Sequence, residues 1–360
     1  MSHQPHVRLF IPGPVEVRPD ILAAQTQPMI GHRSPEYADL HGRLVPKIRP
    51  MFGTEGRVFI VTASGSGLQE AAARNCVRER CLCLINGAFG KRWHQTVLSN
   101  GKAADAVQVD WGKGVRPELV DEHLRTGKYD AVTVIFNETS TGTLNPVSEI
   151  AEVVRDYPDV MLLVDAVSAA CGVEILADQW GLDVCLTSSQ KAIAIPPGLA
   201  LCSVSDRAME RAASVPNRGF YFDFLTYEKS AAKNNTPATP AISLMQALDA
   251  QMDAVAAEGW QNRFARHKRM QKQVADWVVA RGFDFFTEEP YRSPTVTAVT
   301  NTHSIDVGKL NTFLRQHNML ISNGYGDLKG KTFRIAHMGD TTEADVANLL
   351  KTIDMYMDQQ

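Results

Sequence analysis

The sequence predicts an α/β fold: a mostly parallel sheet covered by helices, followed by a smaller α+β unit. Three observations carry this. Short apolar runs rich in Val, Ile, Leu and Cys recur at 57–62, 81–85, 131–136, 160–165, 184–188 and 199–204. Runs apolar along their whole length suit strands buried on both faces. Helical patterns lie between several of them, at 66–78, 147–156 and 208–213, and alternating strand and helix implies βαβ units. Finally, 360 residues with 44% hydrophobic and 21% charged exceed one compact unit. We read residues 1–20 as an N-terminal arm, 21–260 as a large domain and 261–360 as a small one.

In chain order, the stretch IPGPVEVRPD mixes prolines with a glycine and is expected to be extended rather than helical. Residues 191–204 depart from the strand–helix alternation. Two short runs there are joined through Pro196-Pro197-Gly198 with no room for a helix, which predicts an antiparallel hairpin. A long helical stretch at 241–282 leads out of the large domain into the small one. The last part holds strand patterns at 295–299 and 333–336 and helical patterns at 307–317 and 342–357, a small α+β unit. No internal repeat or low-complexity segment interrupts the chain.

Composition narrows the function classes. A net charge of −3 offers no electrostatic footprint for nucleic acid or an anionic membrane. No apolar run approaches the roughly 20 residues of a membrane helix. The segment MSHQPHVRLF lacks the basic-then-apolar order of a secretion signal, so a soluble, cytoplasmic protein is expected. Cys76, Cys81, Cys83, Cys171, Cys185 and Cys202 sit in or beside apolar runs without CxxC spacing. Buried, reduced thiols are expected, and neither a metal site nor disulfides.

Three features carry chemistry. The turn Thr-Ala-Ser-Gly-Ser-Gly at 62–67 follows a strand pattern and opens a helical one. Free N–H groups and the positive dipole end of a helix suit a phosphate there, and Ser64 and Ser66 add hydroxyls. Its spacing matches neither GxGxxG nor GxxxxGK[ST], which argues against a Rossmann dinucleotide site and a P-loop. Asp165 closes the run MLLV, at the strand end where open α/β sheets build their sites. A buried aspartate there needs a charged or hydrogen-bonded partner, and a protonated pyridine nitrogen is one; an ordinary helix cap is the plainer alternative. Lys191 follows Ser188-Ser189-Gln190 at the next strand end, among small residues. Desolvation lowers a lysine pKa, as a Schiff-base lysine requires.

A phosphate-type turn, an aspartate and then a lysine, each at a strand end of one sheet, is the order found in fold-type I pyridoxal-phosphate enzymes. With SGSGLQEA, NGAFGKR, NETSTG, LVDAVS, SSQKA, PATPAISL and FRI, the chain resembles the class V aminotransferases, nearest the alanine–glyoxylate and serine–pyruvate group, over nearly its whole length. The resemblance implies pyridoxal 5'-phosphate as cofactor, with Lys191 forming its Schiff base and shuttling the proton. Asp165 would hold the pyridine N–H, Ser64, Gly65 and Ser66 the phosphate, and Phe89 would stack on the ring. Thr139 and Gln190 would reach the ring oxygen, and Arg334 would clamp the substrate α-carboxylate as a guanidinium fork.

The resemblance further implies a homodimer with shared active sites. Thr236 or Thr239 would reach the phosphate of the neighbouring subunit. Gly13 and its flanking prolines would lie near the substrate, with His32 and Arg33 close by. The expected partners are small amino-acid and keto-acid substrates. The reaction implied is transamination of alanine or serine with glyoxylate or pyruvate. Aspartate or phosphoserine transamination stays open through Arg33 or Arg92. A cysteine desulfurase-like lyase fits less well, since the last cysteine, Cys202, lies inside a strand pattern.

Overall fold

The computed structural model describes residues 6–359. A seven-stranded sheet forms its centre, in the order Arg57–Thr62, Leu199–Val204, Val184–Ser188, Met161–Asp165, Ala131–Ile135, Arg80–Ile85, Ala103–Gln108. Every strand runs parallel to the others except Leu199–Val204, which is antiparallel to both its neighbours. Along each strand the side chains alternate between two cores. Leu82, Leu84, Val132, Val134, Leu162 and Val164 face one; Cys81, Cys83, Ala131, Ile135, Met161 and Leu163 face the other. Each fully buried Val or Leu contributes roughly 1.5–3 kcal/mol. This is why the strands read as unbroken apolar runs.

The hairpin expected at 191–204 forms with a different first strand. Leu199–Val204 pairs with Val184–Ser188, and Ala192–Ile195 is not a strand. The intervening segment is a buried loop folded on itself, with the Ala194 N–H bonded to the Lys191 carbonyl at 2.8 Å. Lys191 is therefore presented on the loop of the hairpin. The strand Ala103–Gln108 was missed because it is a polar edge strand, mostly half-buried or exposed.

A second sheet, in the order Arg8–Phe10, Met319–Asn323, Thr332–Ala336, Val296–Thr300, Asp284–Phe285, carries the third core with the helices Trp260–Ala280, Val307–Gln316 and Glu343–Met357. The first of its strands comes from the N-terminal segment, pairing parallel with Met319–Ile321. Residues 11–14 bend, with Gly13 at φ 116° and its N–H bonded to the Ile11 carbonyl at 2.7 Å. A helix starts at Pro19, so the stretch 11–20 is non-helical only to Arg18 and is not extended throughout. The long helical stretch divides at Gly259, φ 83°, into Ile242–Glu258 and Trp260–Ala280.

Arg263, 1% exposed, sits where the two sheets' cores meet. Its guanidinium donates to the Cys171 carbonyl at 3.1 Å, the Ala192 carbonyl at 2.8 Å, Glu258 at 2.9 Å and Asp340 at 3.0 Å. The loop that carries Lys191 is thereby tied to the helix entering the second sheet.

Candidate active site

A cavity of about 360 Å³ opens at the carboxyl ends of the parallel strands, lined by Ser64, Gly65, Ser66, Phe89, Thr139, Asp165, Gln190 and Lys191 among others. On one side the helix Gly65–Cys76 begins, with Ser64 extended at its N-cap and making no side-chain cap bond. The first N–H groups of the helix are thus left for a ligand, with the positive end of the dipole behind them. Gly65 is required by packing: a Cβ there would lie 2.6 Å from Val167 Cγ2.

Asp165, 5% exposed, ends its strand on the cavity floor. One oxygen accepts from the Val167 N–H at 2.8 Å and the other from Gln69 Nε2 at 2.6 Å. Burial pushes its carboxyl up to about 6 despite these donors. A cationic N–H donor would stabilise the ionised form. A glutamine in a helix carries no mark of its own in the sequence; Gln69 lies one turn beyond Ser66, on the face that meets the cavity.

Among the described residues, the ammonium of Lys191 has only the Pro12 carbonyl as a hydrogen-bond partner. Burial, and then the field of Arg334, lower its pKa to about 8. Gly13, at φ 116°, passes so close that a Cβ would stand 2.6 Å from Lys191 Nζ. The N-terminal segment therefore packs directly on the lysine, held by a 3.1 Å bond from the Val15 N–H to the Gln190 carbonyl.

Phe89 is positioned by a buried carboxylate absent from the sequence reading. Glu138 accepts from the Phe89 and Gly90 N–H groups at 3.0 and 3.1 Å, and from the Ser140 hydroxyl at 2.6 Å. It holds the N-terminus of the helix Ala88–Ser99, where a negative charge is favoured. Its neighbour in NETSTG, Thr139, meets the Ser168 hydroxyl, which donates to the Asn137 carbonyl at 2.9 Å.

Arg334 projects from the second sheet and is 7% exposed. It donates to the carbonyls of Asn323 at 3.2 Å and Thr139 at 3.1 Å, and its Cζ lies 5.6 Å from the Tyr325 ring centre. Among the described residues no carboxylate pairs with it, and burial lowers its pKa to about 10. Arg92, exposed on the cavity rim, donates to the Tyr325 hydroxyl at 3.0 Å.

Thr236 and Thr239 are not brought to this cavity. They lie in a separate apolar groove with Ile60, Tyr221 and Tyr227, where the Thr236 hydroxyl donates to the Ala238 carbonyl at 2.9 Å. Arg33 is occupied in holding that loop, through Asn235 at 2.5 Å and the Thr236 carbonyl at 2.6 Å.

The cavity suits a phosphorylated, protonated pyridine. Its residues offer a bare helix N-terminus, a buried carboxylate, an aromatic face and a desolvated amine. Around it, Gln69 Oε1, Asn137 Oδ1 and Ser188 Oγ are buried with no hydrogen-bond partner among the described residues.

Comparison with known proteins agrees. The aminotransferase class-V family profile matches residues 87–349. An uncharacterized aminotransferase of Methanocaldococcus jannaschii is 39% identical over 355 residues, covering 96% of this chain and 91% of its own. The L-aspartate–glyoxylate aminotransferase of Paracoccus denitrificans is 31% identical over 97% of this chain and 90% of its own. The crystal structure of alanine–glyoxylate aminotransferase from Nostoc sp. superposes with a TM-score of 0.93 at 27% identity, covering 99% of this chain and 96% of that one. The chain belongs to the class-V aminotransferase family and is a pyridoxal-phosphate-dependent transaminase.

Proposed function

We propose that the enzyme transfers the amino group of a small L-amino acid, alanine or serine, to glyoxylate or pyruvate. The observation that carries this is Arg334: a buried guanidinium with no carboxylate partner among the described residues, close enough to Lys191 to depress its pKa. A substrate α-carboxylate would complete it. The Nostoc and Paracoccus relatives are both named for glyoxylate, which supports that acceptor.

When bound, pyridoxal phosphate supplies an electron sink for the substrate Cα. The chain's own groups do the rest. Lys191 Nζ is the attachment point and then carries the proton to and from the Cα; near 8 its pKa is matched to that task. Asp165, its carboxylate fixed by Gln69 and the Val167 N–H, would hold the cofactor's ring nitrogen. Ser64, Gly65 and Ser66 would hold the phosphate, and Phe89 and Val167 would pack against the ring. Thr139 and Gln190 would hold the ring oxygen, and Gly13 leaves room beside the amine. Thr236 or Thr239, outside their own chain's cavity, would serve that of a second copy. We accordingly read the molecule as a homodimer with a 21–260 cofactor domain and a 261–360 small domain. A desulfurase-type lyase is disfavoured, since Cys202 lies in a central strand with its thiol pushed up to about 12.

A panel of amino donors read as half-reactions, by loss of the cofactor's bound absorbance band, tests this. Alanine or serine should discharge the band fastest and glyoxylate or pyruvate should restore it. Discharge only by donors lacking an α-carboxylate would overturn the reading.

A further inference from the structure

Tyr325 has no role in the scheme above, yet it touches two of its residues, Phe89 and Arg334, and also Arg92. It lies in the loop 324–331 between the strands Met319–Asn323 and Thr332–Ala336 of the second sheet. Its ring centre is 5.6 Å from that of Phe89, and its hydroxyl accepts from Arg92 Nη2 at 3.0 Å. Arg92 itself lies with its Cζ 5.1 Å above the Phe89 ring. On the other side the Arg334 Cζ is 5.6 Å from the tyrosine ring. Phe89 and Arg92 come from the helix Ala88–Ser99 of the large domain, and Arg334 from the second sheet. A half-buried tyrosine held from both domains is fixed in one orientation rather than free to swing away.

We propose that Tyr325 is a specificity-determining residue: pinned by Arg92 at the rim of the cavity, its ring bounds the space beside Arg334 and restricts the amino donor to short side chains. The proposal rests on the reading that Arg334 takes the α-carboxylate. A carboxylate accepting from a guanidinium lies roughly 2.7–2.9 Å from its nitrogens. The tyrosine ring packs with its centre 5.6 Å from the same guanidinium, so it borders the space that a substrate so held would occupy. A side chain extending toward Phe89 meets that ring. A ring excludes added methylenes by overlap, and one such methylene changes selectivity by roughly 10–200-fold. Arg92 acts here by holding the ring in place.

The test compares holoenzyme of the wild type, Tyr325→Phe and Tyr325→Ala with alanine, serine, aspartate and leucine as donors. Binding of their α-methyl analogues, which lack the proton that is transferred, is measured by calorimetry alongside. Tyr325→Ala should raise kcat/KM for leucine relative to alanine by roughly tenfold or more, through KM, and tighten the longer analogues to match. Tyr325→Phe keeps the ring but loses Arg92, and should give a smaller shift in the same direction. A leucine-to-alanine ratio unchanged within about twofold in Tyr325→Ala, with all donors slowed alike, would make the ring a mere bridge between domains and overturn the proposal. The wild type is measured before any variant. If it transaminates no α-amino acid, the donor reading itself fails, and the proposal with it.

Discussion

Two buried arginines, Arg263 and Arg334, show opposite ways of keeping a cation from water. Arg263 has two carboxylates and two carbonyls around it, and these partners outweigh burial to hold its pKa above the ordinary range. Arg334 has two carbonyls, an aromatic face and no carboxylate, and burial lowers its pKa to about 10. The first is complete within the fold. The second is complete only with an anion from outside. Burial alone does not mark a functional charge; burial without compensation does.

Lys191 is a second cation of this kind, with the Pro12 carbonyl as its one hydrogen-bond partner among the described residues. Removing it should have the largest effect: Lys191→Ala is expected to lower turnover roughly a thousandfold or more, the scale of a lost proton carrier. Full transaminase turnover in that variant would break the contrast at its strongest point. The arginines themselves should separate stability from activity. Arg334→Met should cut kcat/KM for α-amino acids by roughly a hundredfold, mainly through KM, while leaving the thermal midpoint unchanged or higher. Arg263→Met leaves Asp340 and part of Glu258 without their cation and should lose roughly 3–5 kcal/mol in urea unfolding. Similar stability losses in both variants would erase the distinction.

The same contrast has a pH signature. Lys191 in the fold is held near 8 against an ordinary 10.5, so the folded state binds this proton less tightly than the unfolded chain. The deficit is full below pH 8 and vanishes as pH rises through 10.5. Cofactor-free wild type should therefore gain up to roughly 3 kcal/mol relative to Lys191→Met over that interval, followed by chemical denaturation at each pH. The smallest effect is expected at Glu138, a carboxyl that burial pushes above its ordinary range despite the N–H and hydroxyl donors around it. Glu138→Gln keeps its shape but replaces one of its two acceptor oxygens, and should cost roughly 1–2 kcal/mol with weaker cofactor retention on dialysis.

The strands of the large sheet were legible because both their faces are buried. The runs 57–62, 184–188 and 199–204 form strands with those bounds. Strands with a polar or half-exposed face left no such trace, as at Ala103–Gln108 and Met319–Asn323. The hairpin was misread because Ala192–Ile195 is as apolar as a strand while forming a buried loop. Asp165, Lys191 and the serine turn were visible as local patterns at strand ends. Gln69, Glu138 and Tyr325 were not. What makes them matter is a neighbour 96, 49 or 233 residues away, and such pairing has no local pattern.

The strand Arg8–Phe10 bears on how the site is assembled. It pairs with Met319–Ile321, more than 300 residues later, and the next residues, Pro12 and Gly13, are those packed on the Lys191 amine. During synthesis that clasp cannot close until residue 321 has been made. Closing a loop of that length also carries an entropic cost that shorter-range contacts do not share. Until it closes, the part of the lysine's burial that Pro12 and Gly13 supply is missing. A nascent or partly refolded chain should thus hold a more basic lysine than the folded one.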